Sequence, residues 1–199
     1  MSTTAEPGLR ERKKAATRQA LHESAVRLAM EHGLDRITVE AIADDAGVSR
    51  RTFSNYFGSK EEALMYGDFQ RIQRLVDAVR ARPSDETPWQ ALTAAAAGFN
   101  HEVGDLDPRT VAQSRLLRTH PTVLAAQMQT FAAAERDLAA EVTRRLKEED
   151  PRGVRARMTA ATFLLALRVS LNLWLDAPAG TALWDVAEEA LATAGRGLA

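Results

Sequence analysis

The chain has 199 residues, with 26 Lys and Arg against 27 Asp and Glu, 45% hydrophobic residues and no cysteine. Such a hydrophobic share excludes disorder throughout, and the missing thiols exclude disulfides, thiolate nucleophiles and cysteine metal sites. The net charge of -1 hides a basic end: between Gly8 and Arg27, six basic residues face two acidic ones, which suggests a polyanion contact confined to that end.

Helical spacing runs through most of the sequence, and no strand pattern of useful length occurs. The expected class is all-α, with about nine helices. Leu21, Ala25 and Leu28 form the first stripe, which Gly33 stops. Val39, Ile42, Ala43 and Ala46 form a short helix behind Thr38 as N-cap. Gly47 closes it, and Ser49 caps a third helix with Phe53 and Phe57 on one face. Ser59 and Glu62 make a capping box that opens a fourth helix, striped by Met65, Phe69, Ile72, Val76 and Val79. The turn-rich segment Pro83–Thr87 is the expected domain boundary. Prolines then mark helix starts, at Thr87-Pro88, Asp107-Pro108, His120-Pro121 and Asp150-Pro151. The body helices are expected near 88–103, 108–118, 121–148, 152–176 and 180–196. The apolar run Met158–Leu175 is interrupted by Arg168, Ser170 and Asn172, so no membrane span is expected. No basic-then-apolar signal pattern opens the chain, and a cytoplasmic protein is the expectation.

The stretch from Thr38 to Phe57, TVEAIADDAGVSRRTFSNYF, has the parts of a helix-turn-helix. Ala43 lets a second helix cross close, Gly47 supplies a positive φ, and Val48 plugs the angle. The second helix would expose Arg50, Arg51, Thr52, Ser54 and Asn55. Such a helix suits the major groove, where Arg reads guanine and Asn reads adenine.

AIADDAGVSRRTFSNYFGSKEEAL, behind a basic helix and Gly33, resembles the DNA-binding domain of TetR-family transcriptional regulators. The likeness covers about residues 12 to 70, with Gly47, Phe53, Tyr56, Phe57, Ser59, Lys60 and Leu64 in register. The wording RTFSNYFGSKEEAL is also similar to an actinobacterial branch, some of whose members are associated with acyl-CoA or redox-cofactor metabolism. The resemblance implies a DNA-binding domain over 10–58, a linking helix over 59–82, and an effector-binding and dimerisation domain over 83–199. It implies that Arg50–Phe57 is the recognition helix. Tyr56 and Lys60 would then grip phosphates, as would Thr38 through its hydroxyl and helix start. Arg50, Arg51, Thr52 and Asn55 would read bases, with Ser49 beside them. Ser54 stands where the family often has a tyrosine that touches the DNA backbone.

The resemblance further implies a homodimer on a palindromic DNA operator and a small-molecule effector. The expected function is a repressor released by an apolar or amphipathic effector. An activator of the same fold, or a helical adaptor that binds no DNA, is the alternative. The expected dimer helices carry Met158, Phe163, Leu164, Leu167, Leu171, Trp174, Leu183, Trp184 and Leu191. Pocket candidates are Phe69, Trp89, Phe99, Met128, Phe131 and Trp174, with Arg115, His120, Arg168 and Asn172 as polar outliers. Arg168 inside an apolar helix would need a partner, either an anionic effector or, as favoured, a carboxylate such as Glu135, Glu141 or Glu188. No metal-ligand pair, nucleophile elbow or phosphate-binding glycine loop occurs, so neither an enzyme nor a cofactor is expected.

Overall fold

The computed structural model describes residues 8–103, 111, 115, 120–178 and 180–197, with no side chains described over 99–103. The elements are α1 (Leu9–His32), a 3-10 turn (Leu34–Arg36), α2 (Val39–Asp45), α3 (Arg50–Tyr56), α4 (Lys60–Arg80), α5 (Pro88–Val103), α6 (Pro121–Arg145), α7 (Val154–Leu175) and α8 (Leu183–Arg196). All regular structure among the described residues is helical. The expected helix over 108–118 lies outside the described residues, except for Val111 and Arg115, which are helical.

Contacts divide the chain into two units. One is Met1–Asp68 with Leu116–Ala126, and the other is Phe69–Arg115 with Gln127–Ala199. The division falls inside α4 and α6, not at the Pro83–Thr87 turn, because each of these helices lends its two ends to different cores.

The first unit gathers Leu21, Ala25, Ile42, Phe53, Phe57 and Leu64 into one core, which also takes in Val123. Its helix ends follow from local chemistry. Gly33 ends α1 at φ 84°. The Thr38 hydroxyl accepts from Ala41 N–H at 3.1 Å, and the Ser49 hydroxyl accepts from Thr52 N–H at 3.1 Å. Between these caps the chain turns at Gly47, whose φ is 69°. Gly47 N–H donates to Asp44 C=O at 3.0 Å and Val48 N–H to Ala43 C=O at 2.9 Å. This paired closure satisfies carbonyls that the helix end would leave open. Gly47→Val should therefore destabilise the unit by roughly 1–2 kcal/mol, since a β-branched residue resists the left-handed region. Equal melting of variant and parent would refute this.

The capping box of α4 departs from expectation in one bond. Glu62 N–H donates to the Ser59 hydroxyl at 3.1 Å, but the Glu62 carboxylate accepts from Gly58 N–H at 2.6 Å, one residue before the cap. In α5 the box is reciprocal: Thr87 N–H donates to the Gln90 side-chain oxygen at 3.0 Å, and Gln90 N–H donates to the Thr87 hydroxyl at 3.4 Å.

The second unit packs Val76, Val79, Leu92, Leu138, Val142, Phe163 and Leu191 into its core. Here α7 and α8 form the most extensive helix pair. Asp150-Pro151 does not open α7 as expected. The Asp150 carboxylate instead accepts from Ala156 N–H at 2.9 Å, and the helix begins three residues after Pro151, at Val154. By length and composition alone α7 could also cross a bilayer. Its Ala156, Ala160, Phe163 and Leu164 are nevertheless buried in this unit's core, as a core helix requires.

Candidate nucleic-acid interface

Helix α3 has two faces. Phe53 and Phe57 are buried, with ring centroids 5.8 Å apart, and Phe57 meets Tyr66 edge-on at 5.5 Å. Opposite them, Arg50, Arg51, Ser54 and Asn55 are exposed, with Thr52 half-buried. The core thus fixes the rotation of α3 and turns its long polar side chains outward. Arg50 Nε lies 3.0 Å from Glu40, a pair so exposed that water competes with it and little energy holds it closed.

The remaining site residues do local work as well. Besides capping α3, Ser49 Oγ lies 2.9 Å from Thr52 Oγ1. Thr38 is exposed at the start of α2 and keeps its hydroxyl proton for another acceptor. The Lys60 ammonium donates to Leu34 C=O at 2.8 Å and Ile37 C=O at 3.1 Å, so it fastens the 3-10 turn that leads into Thr38. That fastening was not legible in the sequence, because it joins residues 26 and 23 positions apart. Tyr56 is half-buried, with the Arg18 guanidinium 5.8 Å from its ring centroid.

Arg27 and Asp45 hold α1 to α2 through a two-pronged ion pair, one bond at 2.7 Å. Hydrogen bonds from Arg27 and then Ser24 hold the Asp45 carboxyl below the usual carboxylate range.

Residues 21–64 match the family description "Bacterial regulatory proteins, tetR family", and residues 86–199 match "MftR C-terminal domain". The chain belongs to the TetR family. It is 31% identical over 179 residues to the HTH-type transcriptional regulator TcmR of Streptomyces glaucescens, covering 87% of this chain and 79% of that one. It is 30% identical over 138 residues to MftR of Mycobacterium tuberculosis, a transcriptional regulator assigned to mycofactocin biosynthesis, covering 67% and 68%. In fold it is similar to the TetR-family repressor FadR of Thermus thermophilus, solved with lauroyl-CoA. The TM-score is 0.57 at 21% identity, over 92% of this chain and 95% of that one. TetR-family proteins are DNA-binding transcriptional regulators that respond to ligands, and are not enzymes.

The pocket candidates in this TetR-family chain do not share one environment. Trp89 is half-buried and meets Phe163 edge-on at 6.2 Å. It lines an open groove with Trp184, Thr93 and Glu188. Phe131 is half-buried against the core, and half-buried Trp174 donates its indole N–H to Thr181 C=O at 2.8 Å. Phe69 and Met128 are exposed, at 38% and 59%, instead of lying in an apolar interior. The Phe99 side chain lies outside the described residues.

Among the polar candidates, the expected burial of Arg168 requires correction. Arg168 is not buried: it lies on the exposed side of α7 and makes no ion pair among the described residues. Its side of α7 lies outside this unit's own core, which takes Phe163, Leu164 and Ala166 instead. Arg168→Met should therefore leave stability within about 0.5 kcal/mol of the parent, as for most surface changes. A larger loss in urea denaturation would show a partner. The carboxylates named for Arg168 are engaged elsewhere or exposed. Glu135 meets Arg157 at 3.4 Å, Glu141 sits among Arg80, Arg144 and Arg145, and Glu188 is exposed. His120 belongs to the first unit, where its ring nitrogens lie 2.8 Å from Asp35 and 2.8 Å from Thr122. Arg115 is exposed and donates to Leu175 C=O. Asn172 is half-buried on α7.

Proposed function

We propose that this regulator is a repressor that binds a palindromic operator as a homodimer and leaves it when a small apolar or amphipathic effector binds. The observation that carries the DNA reading is the α3 surface, where Arg51 and Asn55 stand exposed above the buried Phe53 and Phe57. Thr38, Ser49, Arg50, Thr52, Tyr56 and Lys60 would complete the contact. Residues 10–58 would bind DNA, 59–82 would link, and 83–199 would serve effector and partner. An exposed apolar stripe on α7 supports the dimer: Val154, Met158, Leu165, Val169 and Leu173. A stripe of this kind outside a unit's own core calls for cover. The groove lined by Trp89, Trp184 and Leu191 is the place proposed for an apolar or amphipathic effector. Release requires the effector to favour a DNA-incompetent state, and α4, which lends residues to both units, is the element proposed to carry the change.

Light scattering together with footprinting of intergenic DNA tests this. A dimer should protect half-sites whose centres lie about one helical turn apart, on the order of 34–36 Å. Leu165→Glu with Val169→Glu should give a monomer. A monomeric parent that protects no palindrome would refute the proposal. Arg51→Ala and Asn55→Ala should each relax preference at one or two base positions, worth ~1–3 kcal/mol, as read by competition with substituted operators.

A further inference from the structure

The basic end of the chain does not present its charges evenly. Arg10, Lys13 and Lys14 are exposed in the first turns of α1, at positions i, i+3 and i+4 on one helix face. That face forms one wall of an open cleft of about 800 Å³, and Thr52, Asn55 and Tyr56 of α3 form the other. Arg12 is equally exposed but does not line the cleft. Beside it, Arg18 lies over the Tyr56 ring, and its buried Nε has no hydrogen-bond partner.

Three ammonium or guanidinium groups therefore face the outward side chains of the recognition helix across a gap open to solvent. Among the described residues, Glu11 is the one acid on its lining. A cleft with cations on one wall and the phosphate-gripping candidate Tyr56 on the other, beside the base-reading candidates Thr52 and Asn55, is suited to a phosphodiester strand that borders the groove those residues would read. We propose that this cleft holds a segment of the DNA backbone, so that Arg10, Lys13 and Lys14 are phosphate-contacting residues in addition to the helix-turn-helix set. The inference rests on the DNA-binding reading above and assigns α1 a part in it beyond scaffolding. These contacts grip without reading sequence, because phosphates carry no base identity.

The test uses the full-length protein and a duplex that the parent selects from random-sequence DNA. Binding is measured over a range of salt concentrations. Replacing Arg10, Lys13 and Lys14 together by Gln removes three contacts from each protomer of the proposed dimer, and should reduce the slope of log affinity against log salt by roughly five units, at about 0.9 for each phosphate released. The order of preference among base-substituted duplexes should not change. Arg12→Gln should leave the slope at the parent value, whereas Lys13→Gln or Lys14→Gln alone should each lower it by about 1.8, one contact from each protomer. These single variants carry the same test should the triple variant unfold. An unchanged slope in the Lys13 and Lys14 variants, or an equal fall in the Arg12 variant, would overturn the cleft while leaving the regulator reading intact. A parent that selects no duplex would overturn both.

Discussion

Replacing Phe53 by alanine should destabilise the DNA-binding unit by about 3–5 kcal/mol and abolish operator binding. The ring is only 1% exposed and lies against Phe57 in a core built from α1, α2, α3 and the start of α4. Truncation removes its buried surface and leaves a cavity that the neighbouring rings cannot close without moving. Helix α3 has only seven residues, far too few to be helical alone in water. Its form and its rotation therefore depend on the two phenylalanines beneath it. With one gone, Arg51 and Asn55 lose their fixed direction even in molecules that remain folded. Urea denaturation gives the stability loss, and amide hydrogen exchange over α2 and α3 locates it. A loss below about 1 kcal/mol, or full exchange protection in α3, would mean that other contacts seat the recognition helix.

The first unit was largely legible in the sequence because its determinants are local. Thr38, Gly47 and Ser49 act on residues three or four positions away, within the reach of sequence spacing. The stripe of Phe53 and Phe57 likewise needs only helical period. The body was less legible, for reasons that specific residues make plain. Arg168 lies in a run of apolar residues, and burial was inferred from that company. A helix buried on one side leaves its other side in water, and apolar neighbours such as Leu165 and Val169 are exposed there too. Pro151 follows a good capping residue, but Asp150 caps from farther back, through a turn whose Gly153 is left-handed at φ 64°. His120 has Asp35 as a partner 85 residues away. No local pattern encodes such a pairing. Nor did one encode the cluster around Glu141, which the sequence offered only as a partner for Arg168.

That cluster gives the second large effect. Glu141 is a carboxylate only 1% exposed, and Arg80 Nε donates to it at 2.8 Å. Arg144 donates to the same oxygen, and Arg145 lies 3.7 Å from the other. The Arg145 side chain is only 7% exposed and donates to Val79 C=O at 2.9 Å and Arg82 C=O at 3.1 Å, so it fastens the end of α4. Glu141→Ala should cost about 2–4 kcal/mol at neutral pH, somewhat less than the roughly 3–5 kcal/mol for breaking a fully buried ion pair. The discount follows from exposure: Arg80 and Arg144 can return to water, whereas Arg145 cannot. The pH dependence has a definite sign. Burial pushes the Glu141 carboxyl up, but hydrogen bonds from Arg144 and Arg80 and their charges outweigh it, leaving it below its ordinary value. A carboxyl held low in the folded state stabilises fully above the ordinary glutamate range near pH 4.3, and that contribution is lost as pH falls through the depressed value. The gap between parent and Glu141→Ala should therefore be widest near neutrality and narrow in acid. Denaturation curves at neutral pH and at about pH 3 measure it. A gap that stays constant or widens in acid would show that Glu141 does not owe its stabilising effect to its charge.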